Sequence, residues 1–145
     1  MFLGQYTHSI DSKSRLTVPV KYRADLEAGA FIVQGFERNL MVYPREAFEK
    51  LSDRASSPST TNPEARAMRR VVFGRAKEVG LDATGRILIP DFLRIYANLD
   101  AEATIVGAGD YFEIWNTEAW AEELVSVTDP DANAERFVTF DLSTG

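Results

Sequence analysis

Two stretches of this chain carry the same charged side chains at the same spacing. Asp11–Pro19 reads DSKSRLTVP and Asp82–Pro90 reads DATGRILIP, so each runs Asp, three residues, Arg, apolar, any, apolar, Pro. A carboxylate four positions ahead of a guanidinium, present twice, invites two kinds of chemistry. Asp11 and Asp82 on related loops would form an acid–base dyad if they shared one proton, which needs the acids about 3 Å apart. The arginines argue against it, because a nearby cation lowers both acids together and does not split them. The contiguous Asp-Thr-Gly of aspartic proteases is also missing. The aspartates read instead as turn residues that accept backbone N–H groups or pair with Arg15 and Arg86. An arginine at a loop exit braces the turn and also reaches outward. Outward-facing Arg and Lys are the groups that meet phosphate oxygens and guanine edges. Lys13, Arg15 and Arg86, with Lys21, Arg23 and Arg94 close behind, form the candidate DNA-binding set. Asp11, Ser14, Asp82 and Gly85 form the candidate loop-shaping set. Gly85 supplies a positive φ cheaply, and Ser14 at the matching position implies a slightly different or mildly strained first turn.

Other chemistries find little support. His8 is the single histidine and there is no cysteine, so a Ser–His–Asp site would have to use His8, and thiolate chemistry and disulfides are excluded. Nothing matches a zinc site, a calcium loop or a phosphate-binding P-loop. The expectation is a non-enzyme without cofactor or metal. Phe112, Tyr111, Trp115 and Trp120 fall at strand and helix positions, which suits core or oligomer contacts better than base stacking.

The elements that must position the loops are themselves repeated. Arg23 corresponds to Arg94 at the offset of the signatures, and Leu40–Phe48 corresponds to Phe112–Trp120. Alternation places Phe2, Tyr6 and Ile10 inward before the first signature, then Leu16 and Val18 after it, with Ile87 and Ile89 in those places in the second copy. Pro19 and Pro90 start short helices. Further strands are expected at residues 31–36, 40–43, 104–107 and 111–115, with closing helices at 44–53 and 117–125, the latter capped by Asn116 or Thr117. The polar run ASSPSTTNP precedes an arginine-rich helix expected over Glu64–Glu78. The boundaries are therefore 1–53 for a first repeat, 54–78 for a linker loop and basic helix, 79–126 for a second repeat and 127–145 for an acidic, loosely held tail. The fold class expected is α+β, mainly β: a duplicated β-barrel with peripheral helices.

With 145 residues, 45% of them apolar, the chain can bury one core built from both copies, whereas a copy alone would be marginal. The lack of cysteine fits a reducing cytosol; MFLGQYTHSI lacks the basic and apolar regions of a secretion signal, and no apolar run approaches the ~20 residues needed to cross a bilayer. The net charge of −6 is unevenly spread. Residues 1–94 hold 15 basic and 11 acidic residues, a net +4, and residues 95–145 hold Arg136 alone against 11 acids, a net −10. A polyanion responds to the local field, screened over about 8–10 Å, more than to the total. The acidic third is either a solubilising segment or a counterpart to the basic region. The arginines of the bridge are either a solvated face, a DNA contact, or partners of the acidic third of this or a neighbouring subunit, a head-to-tail arrangement that closes rings.

The twin signatures, each followed by Pro and a short helix, resemble the Asp-x-x-x-Arg motifs of the MraZ family of transcriptional regulators. The resemblance extends through MFLGQYTHSIDSKSRLTVPVKYR and RVVFGRAKEVGLDATGRILIP. It implies a fold related to AbrB-type swapped-hairpin barrels and a homo-oligomeric ring. It also implies double-stranded DNA as partner, bound at short tandem repeats upstream of the protein's own operon in the division and cell-wall gene cluster, usually as a repressor. DNA-contact roles carry over to Arg15 and Arg86, then to Lys13 and Arg23, and loop-shaping roles to Asp11 and Asp82. Ser14 departs from the Gly usual there. A cytoplasmic, nucleoid-associated location follows. The competing class is a ring-forming scaffold that binds only proteins.

Overall fold

The computed structural model describes residues 1–145. Strand β1 (Gln5–Ser9) enters the first signature turn, which delivers β2 (Arg15–Thr17). After Pro19 the chain forms α1 (Val20–Arg23), prolonged by a 3-10 turn at Ala24–Leu26. β3 (Ala30–Gln34), β4 (Leu40–Pro44) and α2 (Arg45–Ala55) complete the first copy. A polar loop leads to α3 (Pro63–Val72). The second copy follows as β5 (Lys77–Val79), β6 (Arg86–Leu88), α4 (Asp91–Tyr96), β7 (Glu102–Gly107), β8 (Phe112–Trp115) and α5 (Thr117–Val127). The last element is α6 (Pro130–Arg136), in a stretch expected to be loosely held.

The strands pair antiparallel in two sheets. The larger has the order β1-β7-β8-β4-β3-β5, and β2 pairs with β6 alone. Exchanging each strand for its counterpart in the other copy reproduces the larger order read backwards. A pseudo-twofold axis therefore runs between β4 and β8. The registers place it: Met41 faces Glu113 at the centre of one pair and Leu16 faces Ile87 at the centre of the other, each residue opposite its own counterpart. The copies are also exchanged, since β1 of the first lies on β7 of the second and β5 of the second lies on β3 of the first.

Leu16, Val18, Ile87 and Ile89 face inward as expected, and alternation along the other strands sets their faces too. Ile32, Leu40, Val42, Ile105, Phe112 and Ile114 point to the main core, where they meet Leu16, Val18, Ile87 and Ile89 of the β2–β6 ribbon and Tyr22 and Leu93 of the short helices. The opposite face of the large sheet is covered twice, by Phe48 and Leu51 of α2 over Val33, Met41 and Tyr43, and by Trp120 and Leu124 of α5 over Val106 and Trp115. Asn116 caps α5, accepting from Ala119 N–H at 2.9 Å. No helix is long and apolar enough to cross a membrane.

Two expectations change. The strands form an α+β fold with antiparallel sheets, but they do not close into one barrel. The ribbon meets the end of β1 through the Ile10–Leu16 bridge and the Asp11 N–H to Arg15 O hydrogen bond alone, and the Arg15 N–H turns back onto the Asp11 carboxylate instead of extending a ladder. The helix expected over Glu64–Glu78 ends at Val72, and Lys77–Val79 is strand instead. Gly74 is a poor helix residue, and the edge of β3 offers Lys77–Val79 a partner.

Candidate nucleic-acid interface

Each signature turn is built around its aspartate. Asp11 Oδ1 accepts the backbone N–H groups of Lys13 and Arg15, both at 2.9 Å, and Oδ2 accepts Arg15 Nε at 2.6 Å. Asp82 Oδ1 accepts the N–H groups of Thr84 and Arg86 at 3.0 and 2.9 Å and the Thr84 hydroxyl at 3.0 Å, while Oδ2 accepts Arg86 Nε at 2.8 Å. The backbone closes each loop the same way, with Asp11 N–H on Arg15 O and Asp82 N–H on Arg86 O. The left-handed residue is Ser14 (φ 62°) in one turn and Gly85 (φ 79°) in the other.

These N–H groups set the charge state. The Arg86 backbone N–H, with the Thr84 donors, pulls the Asp82 carboxyl down to about 2, and the Arg15 backbone N–H likewise lowers Asp11. Both acids stay ionised, the opposite of what a shared proton requires. The Asp11–Arg15 and Asp82–Arg86 pairs are half-exposed and serve to aim the guanidinium groups.

Antiparallel pairing of β2 with β6 puts the two arginines on one surface. Leu16 and Ile87 fill the core side, so Arg15, Thr17, Arg86 and Leu88 share the outer side, with Arg15 opposite Leu88 and Thr17 opposite Arg86. Arg86 Nη1 reaches Asp11 Oδ2 at 3.4 Å, the same oxygen that holds Arg15, so the two guanidinium groups flank a single carboxylate oxygen. Both terminal nitrogens of Arg15 and one of Arg86 are left without a partner in the chain.

The other candidates divide. Lys13 is exposed at the tip of the first loop, where the second loop has Thr84. Lys21 is exposed on α1 and makes no hydrogen bond to either loop. Arg23 donates through Nε to Val18 O at 3.0 Å and lays its guanidinium over Gly85. Arg94 donates to Leu99 O at 3.1 Å, Asp100 O at 2.9 Å and Ser14 Oγ at 2.6 Å. Arg23 and Arg94 therefore lie against the loop of the opposite copy as braces, and Lys13, Arg15 and Arg86 face out. Thr17 and Leu88, which complete the outer surface, were not among the residues expected. The signal was there in the alternation that sends Leu16 and Ile87 inward and so leaves Leu88, 55% exposed, on the outer side. Phe112, Trp115 and Trp120 are buried, and His8 stacks on Tyr6 in β1.

Comparison with known proteins agrees with the duplication. The family model described as "MraZ protein, putative antitoxin-like" matches residues 1–71 and again residues 72–139. Among similar proteins are three named "Transcriptional regulator MraZ". That of Thermomicrobium roseum is 43% identical over 141 residues, 96% of this chain and 99% of its own length. That of Herpetosiphon aurantiacus is 41% identical over 129 residues, covering 89% and 90%. That of Mycolicibacterium smegmatis is 46% identical over 122 residues, covering 84% and 85%.

Proposed function

The chain belongs to the MraZ family, and from that premise we propose that it is a non-enzymatic, sequence-specific DNA-binding transcriptional regulator that grips double-stranded DNA through the outer surface of the β2–β6 ribbon. The observation that carries the reading is the pair of half-exposed guanidinium groups, Arg15 and Arg86, aimed from one surface by a common carboxylate oxygen. A paired, fixed fork suits phosphate or the O6 and N7 edge of guanine better than a mobile surface lysine does. Lys13 adds a flexible charge at the rim, and Leu88 offers an apolar surface of the kind that meets a thymine methyl group. Arg23, Arg94, Asp11, Ser14, Asp82 and Gly85 keep the two loops in register.

The exchange of β1 and β5 between the copies supports kinship with AbrB-type swapped hairpins. The functional copies are several chains in a homo-oligomeric ring, each presenting one ribbon to a short tandem repeat upstream of the protein's own operon in the division and cell-wall cluster. Repression follows from occupying that promoter, in the cytoplasm and at the nucleoid. Repeated weak contacts on one DNA gain strength through effective concentration.

The test is fluorescence anisotropy with DNA from upstream of the gene. Arg15→Ala, with unchanged circular dichroism and particle mass, should weaken binding by roughly five- to 150-fold, as expected for losing a bidentate contact of ~1–3 kcal/mol. Arg86→Ala, which has one free terminal nitrogen to lose, should weaken it by less. Affinity should also fall with salt by a log–log slope of ~0.9 per phosphate neutralised. Unchanged affinity in both variants would remove the ribbon from the interface, and equal binding to scrambled repeats would reduce the interaction to charge alone.

A further inference from the structure

The bridge between the two copies is itself repeated at the far end of the chain. Asn62–Arg75 reads NPEARAMRRVVFGR and Asp129–Leu142 reads DPDANAERFVTFDL. The segments begin alike in space: Asn62 and Asp129 each cap a helix by accepting the N–H two residues on, at 2.9 and 3.0 Å, with proline in the first helical turn. At the same point in each, an arginine ties the helix to the end of the one before it. Arg69 donates to Ala55 O and Ser56 O at 3.2 and 2.6 Å, and Arg136 donates to Ser126 O.

From there the two units part in burial and in charge. α3 runs on to Val72, which is 4% exposed. α6 stops at Arg136, and Phe137, Val138, Phe140 and Leu142 stand 45%, 76%, 66% and 78% exposed. Four large apolar side chains in six residues form the kind of exposed patch that marks an interaction site. The bridge unit carries four arginines against Glu64, a net +3, and the far unit carries four acids against Arg136, a net −3.

We infer that the acidic unit Asp129–Leu142 of one copy docks on the basic unit Asn62–Arg75 of a second copy, head to tail. The inference rests on the self-association proposed above and assigns its surfaces. Pairing each unit with itself across a twofold axis would set like charges together, whereas a heterologous contact sets +3 against −3. Arg66 and Arg70 are on the exposed side of α3, available to Asp131 and Glu135, which are exposed on α6. Phe73 of the basic unit and Phe92 next to it are 37% and 38% exposed, with Arg75 stacked over the Phe92 ring at 4.6 Å, a seat for Phe137 and Phe140. Each chain has one unit of each sign, so the contact propagates until the rotation closes a ring.

Light scattering on the full chain after size-exclusion chromatography tests this. The wild type should run as a particle of several subunits. The double variants R66E/R70E and D131R/E135R should each fall to the mass of one subunit with unchanged circular dichroism, and the quadruple variant carrying both reversals should reassemble. Phe140→Ser alters an exposed side chain, so its fold is not at risk, and it should also lose the assembled particle. Assembly unchanged in both double variants and in Phe140→Ser, or a quadruple variant that stays dissociated, overturns the assigned contact and leaves self-association standing. A wild-type chain at single-subunit mass overturns both.

Discussion

In the first signature loop the left-handed position is held by Ser14, and in the second by Gly85. The residue roofing each position differs accordingly. Arg94 reaches down to the first loop and donates to the Ser14 hydroxyl at 2.6 Å. Arg23 lies so close over the second that a Cβ on Gly85 would sit 2.2 Å from its guanidinium carbon. In both cases the arginine comes from the other copy, so the halves are exchanged in their side chains as well as in their strands. The loop with a hydroxyl offers a partner to its arginine, and the loop with glycine offers room. A further asymmetry follows at the surface, where Arg86 touches both carboxylates and Arg15 only its own. Arg15 is therefore the freer of the two to meet a ligand, and Arg86 the more firmly held.

What the loops share should give the largest effect. Leu16 and Ile87 are each other's counterparts, opposite one another on the pseudo-axis and 0% and 1% exposed. Replacing either with alanine should cost about 2–5 kcal/mol, the range for a large buried aliphatic side chain. The two losses should be alike in urea unfolding. A large loss for one and none for the other would mean that the ribbon is not a shared base for both loops.

A smaller effect should separate the loops. Gly85→Ser places a side chain at φ 79° and against Arg23, and should cost roughly 1–3 kcal/mol as local backbone strain. Ser14→Gly relieves a left-handed non-glycine residue, worth about 1–2 kcal/mol. It also gives up the Arg94 hydrogen bond, about 0.5–1.5 kcal/mol, and frees the unfolded chain, about 0.4–1 kcal/mol. Near-cancellation is expected, with a melting temperature close to wild type. Equal losses in the two variants would erase the distinction between them.

Much of this arrangement was readable in the residues. The two signatures marked both loops, and alternation around Leu16 and Ile87 fixed which side of the ribbon faces out. Which strands would be neighbours was not readable, because alternation assigns a face and says nothing of the adjoining strand; the exchange of β1 and β5 depends on how the turns aim the chain. Strand β5 was hidden in a helix-like run of charged residues, although Lys77–Val79 stands at the signature offset from Tyr6–His8. The bracing roles of Arg23 and Arg94 depend on backbone carbonyls at Val18 and Leu99, whose direction no side-chain pattern encodes. The second bridge unit is hard to read from the residues, because its offset is shorter than that of the signatures and its apolar positions have changed.

The smallest effect sets the loops against the sheet, and it is a matter of pH. Folding lowers Asp82 from 3.8 to about 2 and lowers Asp11, so the stability these acids contribute is present above 3.8 and is lost as pH falls through their folded values. Glu113 lies where β8 meets β4 and accepts from Asn39 Nδ2 and Trp115 Nε1, both at 3.1 Å. Burial raises it above 4.5, so its contribution is full below 4.5 and is lost as pH rises through the folded value. Opposite signs in two regions place the stability maximum on the acid side of neutrality, with a fall below it that belongs to the loops. Asp82→Asn should lower the melting temperature at neutral pH, since a neutral amide holds Arg86 and the turn N–H groups less strongly than a carboxylate. It should also make the acid limb shallower without moving the Glu113 limb. A melting profile whose acid limb keeps its full slope in Asp82→Asn would transfer that loss to carboxylates outside the loops.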